Sequence, residues 1–229
     1  MIDKIKHKFK YLSEKYNQSD FCKNYECVRE RWNNKIGVLA KSMYNNSVSA
    51  NMVTIFGFVV GMMAINFLAM NMYIEALVCV LINRFCDILD GAIAKIEGIS
   101  KFGMFLDLCL DYVFYAGVIF GFALADPYEN AVAACFLLFG FTTWNTSLLA
   151  YGVIKHNESK KNSDKSDKAP FYLGGVIQGL EMFCGFVLSC LMPFAFLPIA
   201  IALGCWSLIK SLVVVSTTYY KIVIVEQKK

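Results

Sequence analysis

DILDGAIAKIEGISKFGMFLDLCLD, residues 87–111, places four aspartates within or beside stretches that otherwise read as membrane helices. Asp87 and Asp90 stand three positions apart, Asp107 and Asp111 four, so each pair occupies one face of its helix. Two helices meeting across the short polar turn between the pairs can aim all four carboxylates at one point. One aspartate near the bilayer centre costs roughly 2.5–3.5 kcal/mol on insertion scales. Four without compensation would cost on the order of 10 kcal/mol, comparable to the stability of a whole domain. Positive charge must therefore sit among them, and an all-oxygen donor set suits a hard divalent cation such as Mg²⁺, Mn²⁺ or Ca²⁺.

The rest of the composition agrees with a membrane setting. Of 229 residues, 57% are hydrophobic and only 17% charged, against about 25% charged in soluble domains. The expected fold is an all-α integral membrane protein: a six-transmembrane-helix bundle preceded by an N-terminal amphipathic, juxtamembrane helical arm. Residues 1–47 form the arm, 48–225 the six-span domain and 226–229 a short tail. In the arm, Ile2, Ile5, Phe9 and Leu12 recur at helical spacing between Lys4, Lys6, Lys8 and Lys10, the pattern of a basic helix on an anionic membrane surface. No continuous apolar core marks a signal peptide there. A second helix is expected around Glu26–Tyr44.

Apolar spans follow at about 52–70, 73–95, 103–125, 130–154, 171–191 and 194–222, each long enough for about 30 Å of hydrocarbon. Lys and Arg crowd the arm, the turn near Lys95–Lys101, the loop KHNESKKNSDKSDK and the tail EQKK, and are missing from the alternate loops. The positive-inside rule then places both termini and the aspartate turn in the cytoplasm. Residues 155–168 read as a flexible cytoplasmic loop. The sequons at Asn45, Asn145 and Asn157 lie inside or within a span, so no glycosylation is expected.

Seven of the nine cysteines (Cys79, Cys86, Cys109, Cys135, Cys184, Cys190, Cys205) fall in apolar spans without ligand-like spacing and read as small hydrophobes. Cys22 and Cys27 read as free thiols. His7 and His156 are the only histidines, both in basic polar segments. That excludes a His-ligated zinc site and a Ser-His-Asp hydrolase. Nothing in the chain points to nucleic acid.

Around the aspartates, Gly91 and Ala94 have almost no side chain, so a ligand can approach the helix backbone. Lys95 and Lys101 can bring positive charge to a phosphate, and Arg84 lies one turn before Asp87. Two divalent ions bridged by carboxylates can clamp a pyrophosphate during in-line displacement, and a remaining carboxylate can take the proton from an attacking hydroxyl. The residues alone thus describe metal-dependent transfer on a diphosphate at the membrane surface. Carboxylates within a membrane span are functional by default, which disfavours a purely structural role for all four.

The run Asp87-x-x-Asp90-Gly91-x-x-Ala94-Lys95, continued by Gly103-x-x-x-Asp107-x-x-x-Asp111, resembles the signature of the CDP-alcohol phosphotransferases. SANMVTIFG before the first span is similar to that family's opening P-N-x-x-T, and the six-span plan matches over residues 48–225. The resemblance implies a dimeric membrane enzyme in phospholipid biosynthesis. It would use a CDP-linked lipid donor, CDP-diacylglycerol by expectation, and a small polar alcohol acceptor such as glycerol 3-phosphate, releasing CMP. It implies that Asp87, Asp90, Asp107 and Asp111 hold two Mg²⁺ or Mn²⁺ ions and that Asp111 is the general base. Asn51, Thr54, Asp87, Gly91, Ala94, Lys95 and Gly103 would bind the cytidine diphosphate. Arg84, Lys101, Lys155 and Lys168 are the candidates for the acceptor. Lys95 stands where the family has arginine, Ala50 where it has proline, and the spacer before Gly103 is one residue shorter. A lysine serves a phosphate as a point charge but not as a bidentate fork.

Competing readings are a catalytically degenerate family member acting as a scaffold, an intramembrane prenyltransferase, and a divalent-cation transporter. Prenyltransferases carry their aspartate motifs far apart, and a transporter would bury them deeper in broken helices. Glu181 is a further intramembrane acid in need of a partner, either an acceptor hydroxyl or a basic side chain. Gly57-x-x-x-Gly61 and Gly117-x-x-x-Gly121 are candidate helix-packing seams.

Overall fold

The computed structural model describes residues 35–162 and 169–220, the side chains of 155–162 and 169–178 excepted. Among the described residues all regular structure is helical. Helix α1 covers residues 35–45. It is followed by α2 (Ala50–Ala69), α3 (Tyr73–Glu97), α4 (Lys101–Ala125), α5 (Pro127–Asn162), α6 (Ala169–Leu191) and, after a 3₁₀ turn at Pro193–Ala195, α7 (Phe196–Tyr219). The surface helix expected near the N-terminus, Cys22 and Cys27, and the short tail lie outside the described residues.

Local chemistry sets these boundaries. Ser49 Oγ accepts the Met52 N–H (3.4 Å) to open α2. At its other end Asn71 takes a left-handed φ of 59°. Its N–H and that of Met72 return to the carbonyls of Leu68 and Phe67 (2.9 and 2.8 Å), a Schellman closure. Gly98, at φ 106°, stops α3, and Ser100 Oγ accepts the Gly103 N–H (2.8 Å) to cap α4. Asp126 Oδ1 accepts the N–H groups of Tyr128 and Glu129, both at 3.1 Å, with Pro127 in the first position of α5.

Among the described residues four helices are long and apolar enough to cross a bilayer: Ala50–Ala69, Lys101–Ala125, Pro127–Ile154 and Pro193–Tyr219. The chain is an integral membrane helical protein. The six expected spans all coincide with helices, but two fall short of that standard. Helix α3 has the length and also carries Glu75, Arg84, Asp87, Asp90, Lys95 and Glu97; of α6 only Gly179–Leu191 counts as apolar helix among the described residues.

One expectation is corrected. The segment after residue 154 is not a loop throughout, because α5 continues to Asn162. KHNESKKN holds no proline or glycine to stop a helix, and Glu158 sits three positions before Lys161, a spacing that supports one. Asp87 and Asp90 also lie two turns or more before the end of α3 at Glu97. The helix dipole, which acts within the last turn, therefore weighs little on them.

The chain divides into two compact units, residues 1–54 with 86–106, and residues 55–85 with 107–229. The first has a small core of Ala40, Ala50, Val53, Cys86, Leu89 and Ile93. Its register is fixed where the Glu97 carboxylate accepts the Ala50 N–H at 3.1 Å, tying the start of α2 to the end of α3. The second unit holds the larger core, with Phe114, Val118, Ile119 and Phe122 of α4 packed among Leu68, Leu137, Phe186 and Phe196. There the Gly117–Gly121 spacing does form a seam. A Cβ on Gly117 would stand 2.7 Å from Ile65 Cδ1, and one on Gly121 would stand 2.8 Å from Leu68 Cδ1 and 3.2 Å from Ile65 Cα.

Candidate active site

Each aspartate of the motif is delivered by a regular helix on either side of the Gly98–Ser100 turn. Asp87 and Asp90 project from α3 and Asp107 from α4. Each offers one carboxylate oxygen, and the three oxygens lie within 4.8 Å of one another. Asp90 is buried, while Asp87 and Asp107 are partly accessible. Opposite ligands on Mg²⁺ stand about 4.2 Å apart, so a divalent ion fits this set with small side-chain movement. The donors are all hard oxygen atoms, as such an ion requires.

Asp90 is held from behind. Thr54 Oγ1, on α2, donates to Asp90 Oδ2 at 2.6 Å and also lies 3.1 Å from the Ala50 carbonyl. A hydroxyl aimed at a ligating carboxylate fixes its rotamer and its free lone pair. The sequence motif placed Thr54 among nucleotide contacts; the structure places it against a carboxylate of the cluster. Asn51 opens the same helix, and its Oδ1 would stand 3.1 Å from a Cβ on Gly103. Any side chain at position 103 would crowd that amide. Gly91 has no heavy atom within 4 Å of where a Cβ would stand and is exposed. Lys95 and Lys101 are exposed, and Ala94 packs on the small core.

Asp111 takes part in a different set of contacts. Its Oδ1 accepts from Arg84 Nη2 at 2.5 Å, and the two side chains are only 28% and 13% exposed. Arg84 also donates to Asn83 Oδ1 through Nε (2.9 Å) and Nη2 (2.7 Å), and through Nη1 to the Tyr115 hydroxyl (3.0 Å). Its guanidinium lies 5.0 Å from the ring centres of both Phe114 and Tyr115. The Tyr115 hydroxyl in turn donates to the Gly179 carbonyl at 3.2 Å, and Asn83 Nδ2 donates to the Gly57 carbonyl at 3.0 Å. The sequence reading offered Arg84 as an acceptor contact, whereas here it anchors Asp111. Lys155 belongs to α5 with its side chain outside the described residues, and Lys168 lies outside them altogether.

Glu181 has found its basic partner. Lys210 of α7 pairs with its Oε2, and Trp206 Nε1 donates to Oε1 at 2.9 Å. The Lys210 ammonium lies 5.1 Å from the Trp144 ring centre and 6.0 Å from that of Trp206. Of the two partners the sequence allows Glu181, an acceptor hydroxyl or a basic side chain, the structure shows the second.

A helical membrane protein with three clustered carboxylates on consecutive helices defines a class suited to divalent cations and charged headgroup chemistry. The sequence profile of the CDP-alcohol phosphatidyltransferase family matches residues 47–214. The chain belongs to that family and is a membrane transferase of phospholipid biosynthesis. It is 42% identical to Inner membrane protein YnjF of Escherichia coli over 156 residues, 67% of this chain and 76% of that protein. It is 32% identical to Archaetidylinositol phosphate synthase of Pyrococcus horikoshii over 98 residues, 42% of this chain and 52% of that one. Its fold is similar to the crystal structure of Mycobacterium tuberculosis phosphatidylinositol phosphate synthase with CDP-DAG bound. That match has a TM-score of 0.59 and 19% identity, over 80% of this chain and 93% of the other. The acidic cluster is consistent with the metal site of the family.

Proposed function

We propose that this protein transfers the phosphatidyl group of CDP-diacylglycerol to a hydroxyl of a small polyol acceptor, releasing CMP. The observation that carries the reading is the meeting of the Asp87, Asp90 and Asp107 oxygens within 4.8 Å on the family motif. Asp87, Asp90 and Asp107 would hold Mg²⁺ or Mn²⁺, which when bound supplies charge neutralisation to a diphosphate. Asp111, oriented by Arg84, takes the proton of the acceptor hydroxyl. The acceptor oxygen bonds to the phosphorus nearest the lipid, and the bond from that phosphorus to the oxygen bridging to CMP breaks. Gly91 and Gly103 leave room for the nucleotide, with Asn51 and Ala94 beside them, and Lys95 and Lys101 offer charge to its phosphates.

The donor follows from the family and from the CDP-DAG of the Mycobacterium tuberculosis structure. Two of the similar proteins are named for inositol phosphate products, which sets an inositol phosphate beside glycerol 3-phosphate as acceptor. We read α3 and α6 as the two remaining spans, with the active site and both termini cytoplasmic and the protein a homodimer.

The test is CMP release from CDP-diacylglycerol by purified protein in detergent with Mg²⁺ or Mn²⁺. The acceptor panel is glycerol 3-phosphate, inositol phosphate, inositol and serine, with Asp111→Asn as control. Release is expected to need metal, one acceptor of the panel and Asp111. Folded protein that releases no CMP with any acceptor would overturn the reading.

A further inference from the structure

Among the described residues, one pair of buried side chains is left without hydrogen-bond partners. Trp144 Nε1 and both amide atoms of Asn145, Nδ2 and Oδ1, are buried and make no hydrogen bond among the described residues. The residues are 5% and 6% exposed. Buried polar atoms are almost always satisfied, and three adjacent orphans in a membrane helix are costly. Such a cost is offset when a ligand or a bound water meets the orphaned atoms.

The two residues lie on adjoining faces of α5. Trp144 shares its face with Gly140 and Ser147, which meet α7: a Cβ on Gly140 would stand 2.6 Å from the Gly204 carbonyl oxygen, and Ser147 and Ser211 share a 2.6 Å hydrogen bond. The Lys210 ammonium against its ring fixes the indole there. Asn145 follows Phe141 by one turn and shares its face. Phe141 packs on α4, with ring centres 6.0 Å from Tyr112 and 5.9 Å from Tyr115. Only Asp126 separates α4 from α5, so the helices run antiparallel. One turn onward along α5 therefore runs back along α4, from Tyr112 and Tyr115 toward Asp111, the residue proposed as base.

We propose that Asn145, with the indole N–H of Trp144, holds two adjacent hydroxyls of the acceptor alcohol next to Asp111. This inference rests on the transferase reading above. An amide both donates and accepts, as a hydroxyl does, and the indole adds one further donor. Together they match a 1,2-diol. A lone carboxylate or ammonium would use only half of the set. The neighbouring pair of Glu181 with Lys210 carries no net charge, so it does not favour a charged group over a neutral one. The acceptor class is thus a polyol with vicinal hydroxyls, and the hydroxyl beside the reacting one is read by Asn145. A bound water could satisfy the same atoms and is the alternative that the experiment separates.

The experiment compares each acceptor with its analogue lacking the neighbouring hydroxyl, glycerol 3-phosphate against 3-hydroxypropyl phosphate and inositol phosphate against its deoxy counterpart. A site built to bond a hydroxyl rejects the analogue strongly, so the native protein is expected to discriminate by about a hundredfold or more in kcat/KM. Asn145→Leu should erase most of that discrimination by raising the KM for the acceptor at least about tenfold, with the KM for CDP-diacylglycerol unchanged. Because it removes an unsatisfied amide, it should leave the Tm equal or higher. Trp144→Phe keeps the ring and removes only the donor, and should show a smaller loss of the same kind. Unchanged discrimination in both variants would mean that water alone occupies the site and would overturn the proposal, leaving the transferase reading intact.

A binding arm needs no turnover. Acceptor titrations of a Trp32→Phe, Trp206→Phe protein follow Trp144 emission alone, with and without Asn145→Leu. A change lost in Asn145→Leu supports the site even if no CMP is ever released, in which case the transferase reading fails by itself. No change with any polyol, in protein that releases no CMP, would overturn both.

Discussion

Glu181 and the Asp87–Asp90–Asp107 cluster are both acidic features of apolar helices, yet they are built in opposite ways. Glu181 is matched one to one: Lys210 pairs with one of its oxygens, and Trp206 donates to the other at 2.9 Å. The cluster instead brings three like charges within 4.8 Å, an arrangement that raises the energy of the folded chain unless cation charge enters it. Asp111, like Glu181, has a basic partner, since Arg84 pairs with it. The difference teaches that membrane burial alone does not mark an acid as functional. The informative sign is a convergence of carboxylates at one point, with an orienting hydroxyl such as Thr54 behind them.

Neutralising one member of each region gives opposite outcomes, and the largest effect falls on the cluster. Asp107→Asn keeps the shape and removes one ligand charge. CMP release should drop by about a thousandfold or more, in line with loss of a group acting only in the transition state. The Tm without metal should hold or rise, because repulsion is relieved. Stabilising metal, read as the Tm increase on adding Mn²⁺, should shrink at the same time. Activity within a few fold of the native protein would break the comparison at its root.

On the other side, Lys210→Met removes the cation and leaves Glu181 partly buried without it. Breaking a buried pair costs about 3–5 kcal/mol, and partial exposure here, 16% and 26% for the two side chains, lowers the expectation to about 2–3 kcal/mol. Thermal unfolding in detergent should show the loss, and Lys210→Met combined with Glu181→Gln should recover most of it. If the double variant is no more stable than the single one, the pair is not the closed electrostatic unit described here.

The sequence carried much of this. Six apolar runs became helices, and the aspartate spacings put three carboxylates together because regular helices preserve i,i+3 and i,i+4 faces. The Arg84–Asp111 pair is not among the sequence expectations, although a signal for it exists: in two antiparallel helices joined by a short turn, stepping back from Asp87 to Arg84 matches stepping forward from Asp107 to Asp111. The Glu181–Lys210 pair was not legible, because it spans 29 positions and depends on which faces of α6 and α7 meet. Asn145 read only as a sequon within a span. Its meaning emerges once both of its amide atoms are seen buried and unbonded. The end of α5 was missed because a charged, lysine-rich tail looks like a loop, although nothing in it breaks a helix.

The smallest effect sharpens the comparison most finely. Thr54→Val keeps the size of the side chain and deletes the hydroxyl 2.6 Å from Asp90 Oδ2. If Thr54 orients a metal-binding carboxylate, the metal concentration for half-maximal CMP release should rise about 10–100-fold, the usual cost of losing such a partner. Saturating metal should then restore the rate, and Thr54→Ser should behave as the native protein does. If Thr54 instead touches the nucleotide, as the motif alone implied, the KM for CDP-diacylglycerol would rise while the metal dependence stayed in place. Only the first pattern makes Thr54 part of what separates the cluster from the self-neutralised acid on α6.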